Sequence, residues 1–225
     1  MHMWDFTIRT MKDLTEAVEA LGFLPLFQNS IPGFSVEEDA APSAWFSEEP
    51  GVWEWKGPVI RETGCAYGKF FERKAAFISA DWFPDFANVR RDGYDFDARY
   101  DDGLASAQDK ALFELVDANA PALSRHLKKL GDYRKGGRKG FDTFMNRLQA
   151  QCYCLISDFV YLTDRHGNQY GWGVAQYSTP EKFMGERFTD AVYARTPEES
   201  RNRVLEHLRS LLPGTEEEVI QKFLQ

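Results

Sequence analysis

Met11, Leu14, Val18 and Leu21 recur at helical spacing and stop at Gly22, which predicts a helix over Thr10–Leu21 with Asp13 and Glu16 in its first turn. Phe23–Phe34, with two prolines and a glycine, reads as extended and packed chain. Val36–Gly51 is acidic and Pro-containing, the pattern of a mobile loop, and from Val52 the texture turns β, with a short strand at Pro58–Glu62. Tyr67–Phe71 and Ala75–Ser79 flank Glu72-Arg73-Lys74 as a hairpin. Trp82–Arg91 reads as a helix with Asp81 as its cap and Pro84 in its first turn. An Asp-rich loop follows at Asp92–Gly103, then helices at 107–118, 121–130 and 141–156. A second hairpin spans 158–163 and 170–177 with its tip at Arg165–Asn168. Three capped helices begin at Thr179-Pro180-Glu181, Thr196-Pro197-Glu198-Glu199 and Thr215-Glu216-Glu217-Glu218.

This order predicts an α+β, winged-helix-containing chain of mixed helices with two β-hairpins. Two subregions are expected, 1–104 with the first helix and hairpin and 105–225 with the winged-helix-like part and C-terminal helices, together forming one compact domain. No internal repeat interrupts the pattern. No apolar run reaches the roughly 18 residues of a membrane span, and Met1–Thr10 has neither a basic nor an apolar leader segment. Cys65, Cys152 and Cys154 are odd in number and without framework spacing, which points to a reducing, cytoplasmic setting. On a helix, Cys152 and Cys154 would project about 200° apart and serve as structural cysteines.

Charge changes the picture. The chain carries a net charge of −8, yet between Pro121 and Thr179 nine basic side chains face four acidic ones. Lys128, Lys129, Arg134, Lys135, Arg138, Lys139 and Arg147 are the candidate nucleic-acid-binding cations there. Gly136-Gly137 would let the backbone approach a phosphate, although a solvated loop between helices has the same composition. Gln149 and Gln151 offer neutral amides that can hold a water or read a base edge; the plainer reading is an ordinary helix surface.

Trp53, Glu54 and Trp55 alternate, so on a strand both indoles share one face, able to stack a base beside a carboxylate or simply to pack. With Trp82 and Trp172 they are pocket candidates. Asp95 and Asp97 outline a hard-cation loop but lack the closing glutamate, so salt bridges to Arg90, Arg91 and Arg99 are expected instead, with one carboxylate free to act as a base. His126, His166 and His207 show no ligand spacing, and no P-loop, dinucleotide fingerprint or serine-hydrolase elbow is present. No metal and no cofactor is expected.

Arg147-Leu148-Gln149-Ala150-Gln151, Tyr67-Gly68-Lys69-Phe70-Phe71 and the helix–turn–helix–hairpin outline together resemble the winged-helix DNA glycosylases of the AlkZ and YcaQ kind. The chain is similar to a short, AlkZ-related member of that group. The resemblance implies a metal-free enzyme that removes N-alkylated bases from damaged duplex DNA, with Gln149 and Gln151 as the catalytic positions around Ala150. It also implies further winged-helix or C-terminal parts in the longer relatives. A non-enzymatic winged-helix module or regulator is the first alternative, and a protein-interaction domain the second.

Overall fold

In the computed structural model, residues 7–45, 50–167 and 169–224 are described, with backbone only at 169 and 170. Thr10 and Asp13 exchange side-chain and backbone hydrogen bonds to start α1 (Met11–Leu21), and Gly22, at φ 74°, ends it. There follow β1 (Phe23–Pro25), α2 (Val36–Asp39), a 3-10 turn Pro42–Ala44, α3 (Val52–Thr63), β2 (Ala66–Phe71) and β3 (Lys74–Ile78). Next come α4 (Phe83–Arg91), α5 (Phe96–Asp101), α6 (Ala107–Asn119), β4 (Ala122–Leu123), α7 (Ser124–Leu130) and α8 (Phe141–Ala150). The chain continues through β5 (Leu155–Thr163), β6 (Gln169–Ser178), α9 (Pro180–Met184), α10 (Glu186–Thr189), α11 (Pro197–Leu211) and α12 (Glu217–Leu224).

The strands form one antiparallel sheet in the order β1-β3-β2-β5-β6-β4. Both hairpins contribute: β2 turns into β3 through Glu72 and Arg73, both at positive φ, and β5 returns as β6. Tyr67 opposite Ile156 joins the two hairpins, and Ala122 opposite Tyr177 sets β4 beside β6. Period-two alternation sends successive side chains to opposite faces. Ala66, Ile78 and Leu155 meet α4, α11 and α12 on one face, while Tyr67, Phe77 and Ile156 meet α1 and α3 on the other. A third cluster joins Leu112, Leu127, Met145 and Leu148 from α6, α7 and α8.

Several expectations are corrected. Within 36–51, Ser35 caps α2 and exchanges a hydrogen bond with Glu38, burying Val36 and Asp39, so 36–45 is folded chain; Phe46–Glu49 lie outside the described residues. Residues 52–63 are helix, not strand. Val52, Trp55, Val59 and Ile60 bury a 3-4 spaced stripe, and Gly51 N–H donates to Glu54 Oε2 at 2.9 Å to close the first turn. Pro58 lies inside α3, where its missing N–H leaves the Glu54 carbonyl without a helical donor.

Trp82, not Asp81, precedes α4, and Asp81 pairs instead with Arg187. Asp95 caps a helix within the expected 92–103 loop. The 121–130 segment begins as β4, and α8 stops at Ala150, because Cys152 turns to φ 62° and Leu155 enters the sheet. Cys152 therefore stands in the turn after α8 and Cys154 just before β5, neither of them on a helix. The tip of the β5–β6 hairpin is described except at Asn168.

Candidate nucleic-acid interface

The α7–α8 connection is shaped by one carbonyl. The Asp132 oxygen accepts from both Arg134 N–H (3.0 Å) and Arg138 N–H (2.8 Å), and Gly137 N–H closes onto Arg134. A Cβ on Gly137 would stand 2.2 Å from that oxygen, so the glycine is required by close approach. Three of the seven predicted cations are held by carboxylates: Arg134 by Asp132 (2.6 Å), Lys128 by Asp142 (3.0 Å) and Arg147 by Asp109 (2.7 Å). Lys129, Lys135, Arg138 and Lys139 are exposed and form no ion pair among the described residues; the same is true of Arg125. Arg138 and Lys139 open onto a cleft of about 490 Å³ walled by Tyr133, Phe144 and the first turns of α6. Lys135 and Arg138 also line a neighbouring cleft of about 280 Å³.

The two glutamines part company. Gln149 is 1% exposed; its Oε1 accepts from Lys69 N–H at 3.2 Å, and its Nε2 donates to the Met145 carbonyl at 3.3 Å. Gly68 leaves room for that amide, since a Cβ there would lie 3.2 Å from Oε1. The two sequence segments that carry the family resemblance thus touch, α8 against β2. Gln151 sits one residue beyond α8 as its C-cap, half-buried, and its amide forms no hydrogen bond among the described residues.

The helical rather than extended course of 52–63 separates the tryptophans. Residues i and i+2 lie about 200° apart on a helix, so Trp55 enters the core while Trp53 faces outward. Trp53 meets Trp172 of β6 edge-to-face at 6.4 Å and Trp45 at 5.4 Å. Trp172 is 75% exposed. Trp82 stays apart, stacked on His207 at 4.0 Å beneath Arg203. Glu54, besides capping α3, lines a cleft of about 460 Å³ with Arg61, Asp158, Phe159 and Tyr161. Arg61 and Asp158 pair across its floor.

Sequence reasoning missed Lys56. Its Nζ lies 4.7 Å from the Trp53 ring centre and 4.3 Å from that of Phe159. Burial pulls its pKa down to about 8, against the opposing charge of Glu54. Burial and the same carboxylate push the Tyr161 hydroxyl up. The available signal was a lysine three residues after Trp53, on one helical face with it.

Asp95 caps α5 and Asp97 pairs with Lys110 at 3.3 Å; both line a cleft of about 370 Å³ with Asp117 and Glu181. The expected salt bridge from Arg91 to these aspartates does not form. Arg91 turns inward to Glu181 (2.7 Å) and the Cys152 carbonyl (2.8 Å), between the rings of Tyr153 and Phe188. Among the described residues no group of His, Cys, Asp and Glu could hold a metal ion. The three cysteines are free and buried, and desolvation pushes the Cys65 and Cys152 thiols up to about 12, far from a reactive thiolate. No helix among the described residues is long and apolar enough to cross a membrane.

A protein-family model described as AlkZ related matches residues 8–225. No curated protein and no solved structure gives a significant match.

Proposed function

Because the chain belongs to the AlkZ-related family, we propose that it binds duplex DNA through the α7–α8 turn, α8 and the β5–β6 hairpin, as a winged-helix protein allied to base-excising glycosylases. The connectivity α6–β4–α7–α8–β5–β6, with β6 between β4 and β5, supports the winged-helix reading. In it α8 is the helix offered to a groove, and Thr143, Asn146, Arg147 and Ala150 lie on its accessible side. The observation that carries the proposal is that, among the described residues, Lys129, Lys135, Arg138 and Lys139 form no ion pair in a chain of net charge −8. Such an acidic protein has carboxylates to spare, yet no described one neutralises these side chains, which suits them to an external anion.

The reaction that fits is hydrolytic release of an N-alkylated base. A cationic base is already a good leaving group, and a damaged base pairs weakly and is cheaper to extrude. Of the two glutamines, Gln151 is the one with an uncommitted amide, suited to orienting a water. Gln149 acts by bracing α8 on β2. The direct test is single-turnover base release from a duplex carrying 7-methylguanine, with binding of undamaged duplex followed alongside. Release that is lost in Gln151→Ala while binding persists is the expected result. Absence of release in the wild type would overturn the enzymatic half and leave duplex binding as the function. Gln149's engagement on both ends of its amide favours that second reading, a binding module without chemistry.

A further inference from the structure

Of the four clefts above, the one of about 490 Å³ combines cations and aromatic rings with no carboxylate in its wall. Arg138 and Lys139 line it, exposed and without an ion pair among the described residues, beside the rings of Tyr133 and Phe144 and the small side chains of Ala107 and Ala111. Glycines at both ends of the α7–α8 turn make room for the rings. A Cβ on Gly131 would stand 2.6 Å from the Tyr133 ring, and one on Gly140, at φ 89°, 2.8 Å from that of Phe144. Tyr133 also meets Phe141 edge-to-face at 5.2 Å. The carboxylates of the surrounding elements are engaged elsewhere: Asp132 by Arg134, Asp142 by Lys128 and Asp109 by Arg147. None of the three lines the cleft. Tyr133 and Arg138 are shared with the neighbouring cleft of about 280 Å³, where Lys128, Arg134 and Lys135 continue the cationic surface.

We propose that this cleft takes one unstacked nucleotide of a DNA strand, its base against the rings of Tyr133 and Phe144 and its phosphates on Arg138 and Lys139. Cations beside rings are the chemistry of single-stranded nucleic-acid sites: charge tracks the backbone, and every base has a face to stack. The volume lies within the roughly 300–1,000 Å³ of small-ligand sites, and Ala107 and Ala111 leave the space that a base fills. The cationic surface runs on through Arg138 into the second cleft, which suits a strand better than one free nucleotide. Phe144 lies seven residues before Gln151, about 10 Å along the helix. The nucleotide held here is therefore a neighbour of the one that Gln151 would face, about three base steps away at 3.4 Å each. The consequence is a preference for unpaired nucleotides beside a duplex over continuous duplex. The flanking duplex rests on the reading of the chain as a duplex-binding protein; the fit of the cleft to an unstacked nucleotide does not.

Anisotropy titrations of the full chain at one salt concentration test this with a continuous duplex, the same duplex carrying a short thymidine tail, and a thymidine single strand. The tailed duplex is expected to bind at least about fivefold more tightly than the continuous one, the low end for one stacked base. Ala107→Glu sets a carboxylate beside the cations from an exposed first-turn position that tolerates an acid, and should abolish the preference. Phe144→Leu should abolish it too, while Phe144→Trp keeps a ring and should retain it; if Phe144→Leu melts early, Ala107→Glu decides. Equal binding of tailed and continuous duplex by the wild type overturns the proposal and leaves duplex binding standing. A preference that survives Ala107→Glu overturns it as well, since the unpaired nucleotide then sits elsewhere. Binding of the tailed duplex and single strand that Ala107→Glu removes, with no binding of the continuous duplex, upholds the cleft and overturns the duplex reading instead. Absence of binding to all three probes overturns both.

Discussion

Gln149 and Gln151 stand two positions apart and are predicted to answer differently to the same substitution. Gln149→Ala removes a buried amide and leaves the part-buried Lys69 N–H without its acceptor, and should cost about 1–3 kcal/mol in urea unfolding, the range for a polar group shielded from water that loses its partner. Gln151→Ala, at a half-buried C-cap with no side-chain hydrogen bond, should stay within about 0.5 kcal/mol of wild type. Lys56 gives a pH prediction. Its pKa falls from 10.5 in the free side chain to about 8 in the fold, so between those values the unfolded chain binds more protons. Stability from this group therefore rises with pH from about 8 to 10.5 and is flat below. A Lys56→Met variant should lack that rise when the two pH–stability curves are subtracted; identical curves would mean the lysine is not desolvated. The sequence marked both glutamines as equals because a motif carries no burial. It passed over Lys56 because its neighbour Phe159 is remote in the chain.

At the scale of elements, what was legible followed local chemistry. The reciprocal caps at Thr10 with Asp13 and at Thr196 with Glu199 start helices where expected, and the positive-φ pair Glu72-Arg73 turns the first hairpin. Misreadings arose where two periods compete. Trp53 and Trp55 suggest alternation, but Val52, Trp55, Val59 and Ile60 bury a helical stripe despite Pro58, and tertiary burial decides. The two-residue strand β4 has no periodicity to read and exists through its pairing with β6. The basic turn was legible as charge. Its internal ion pairs were not, because they depend on which carboxylate the fold brings near. Two predictions follow from its geometry. Gly137→Ala keeps every charge but crowds the Asp132 carbonyl, and should weaken duplex binding roughly tenfold, about 1.4 kcal/mol, by anisotropy titration. Asp142→Asn frees Lys128 and removes a negative charge, and should strengthen binding about two- to tenfold at low salt; weaker binding would mean Lys128 faces away from the DNA.

Across the whole molecule, one sheet carries both hairpins, and its β2–β5 seam sets the motif-bearing helix α8 against β2 on one side and α3 against β5 on the other. Family membership and the α+β class were visible in the sequence because they rest on dispersed local patterns. The meeting of Trp53, Lys56 and Phe159 was not, since it needs residues about a hundred positions apart to share one crevice. The central claim is that Lys129 at the end of α7 and Lys135, Arg138 and Lys139 in the α7–α8 turn, which form no ion pair among the described residues, neutralise DNA phosphates, and it is tested most directly by the salt dependence of duplex affinity. Wild type should give a slope of log K against log salt of about −4, near −0.9 for each engaged cation. Lys135→Glu with Arg138→Glu should flatten it by about two and weaken binding at low salt. Equal slopes and equal affinities for the two proteins would contradict the account.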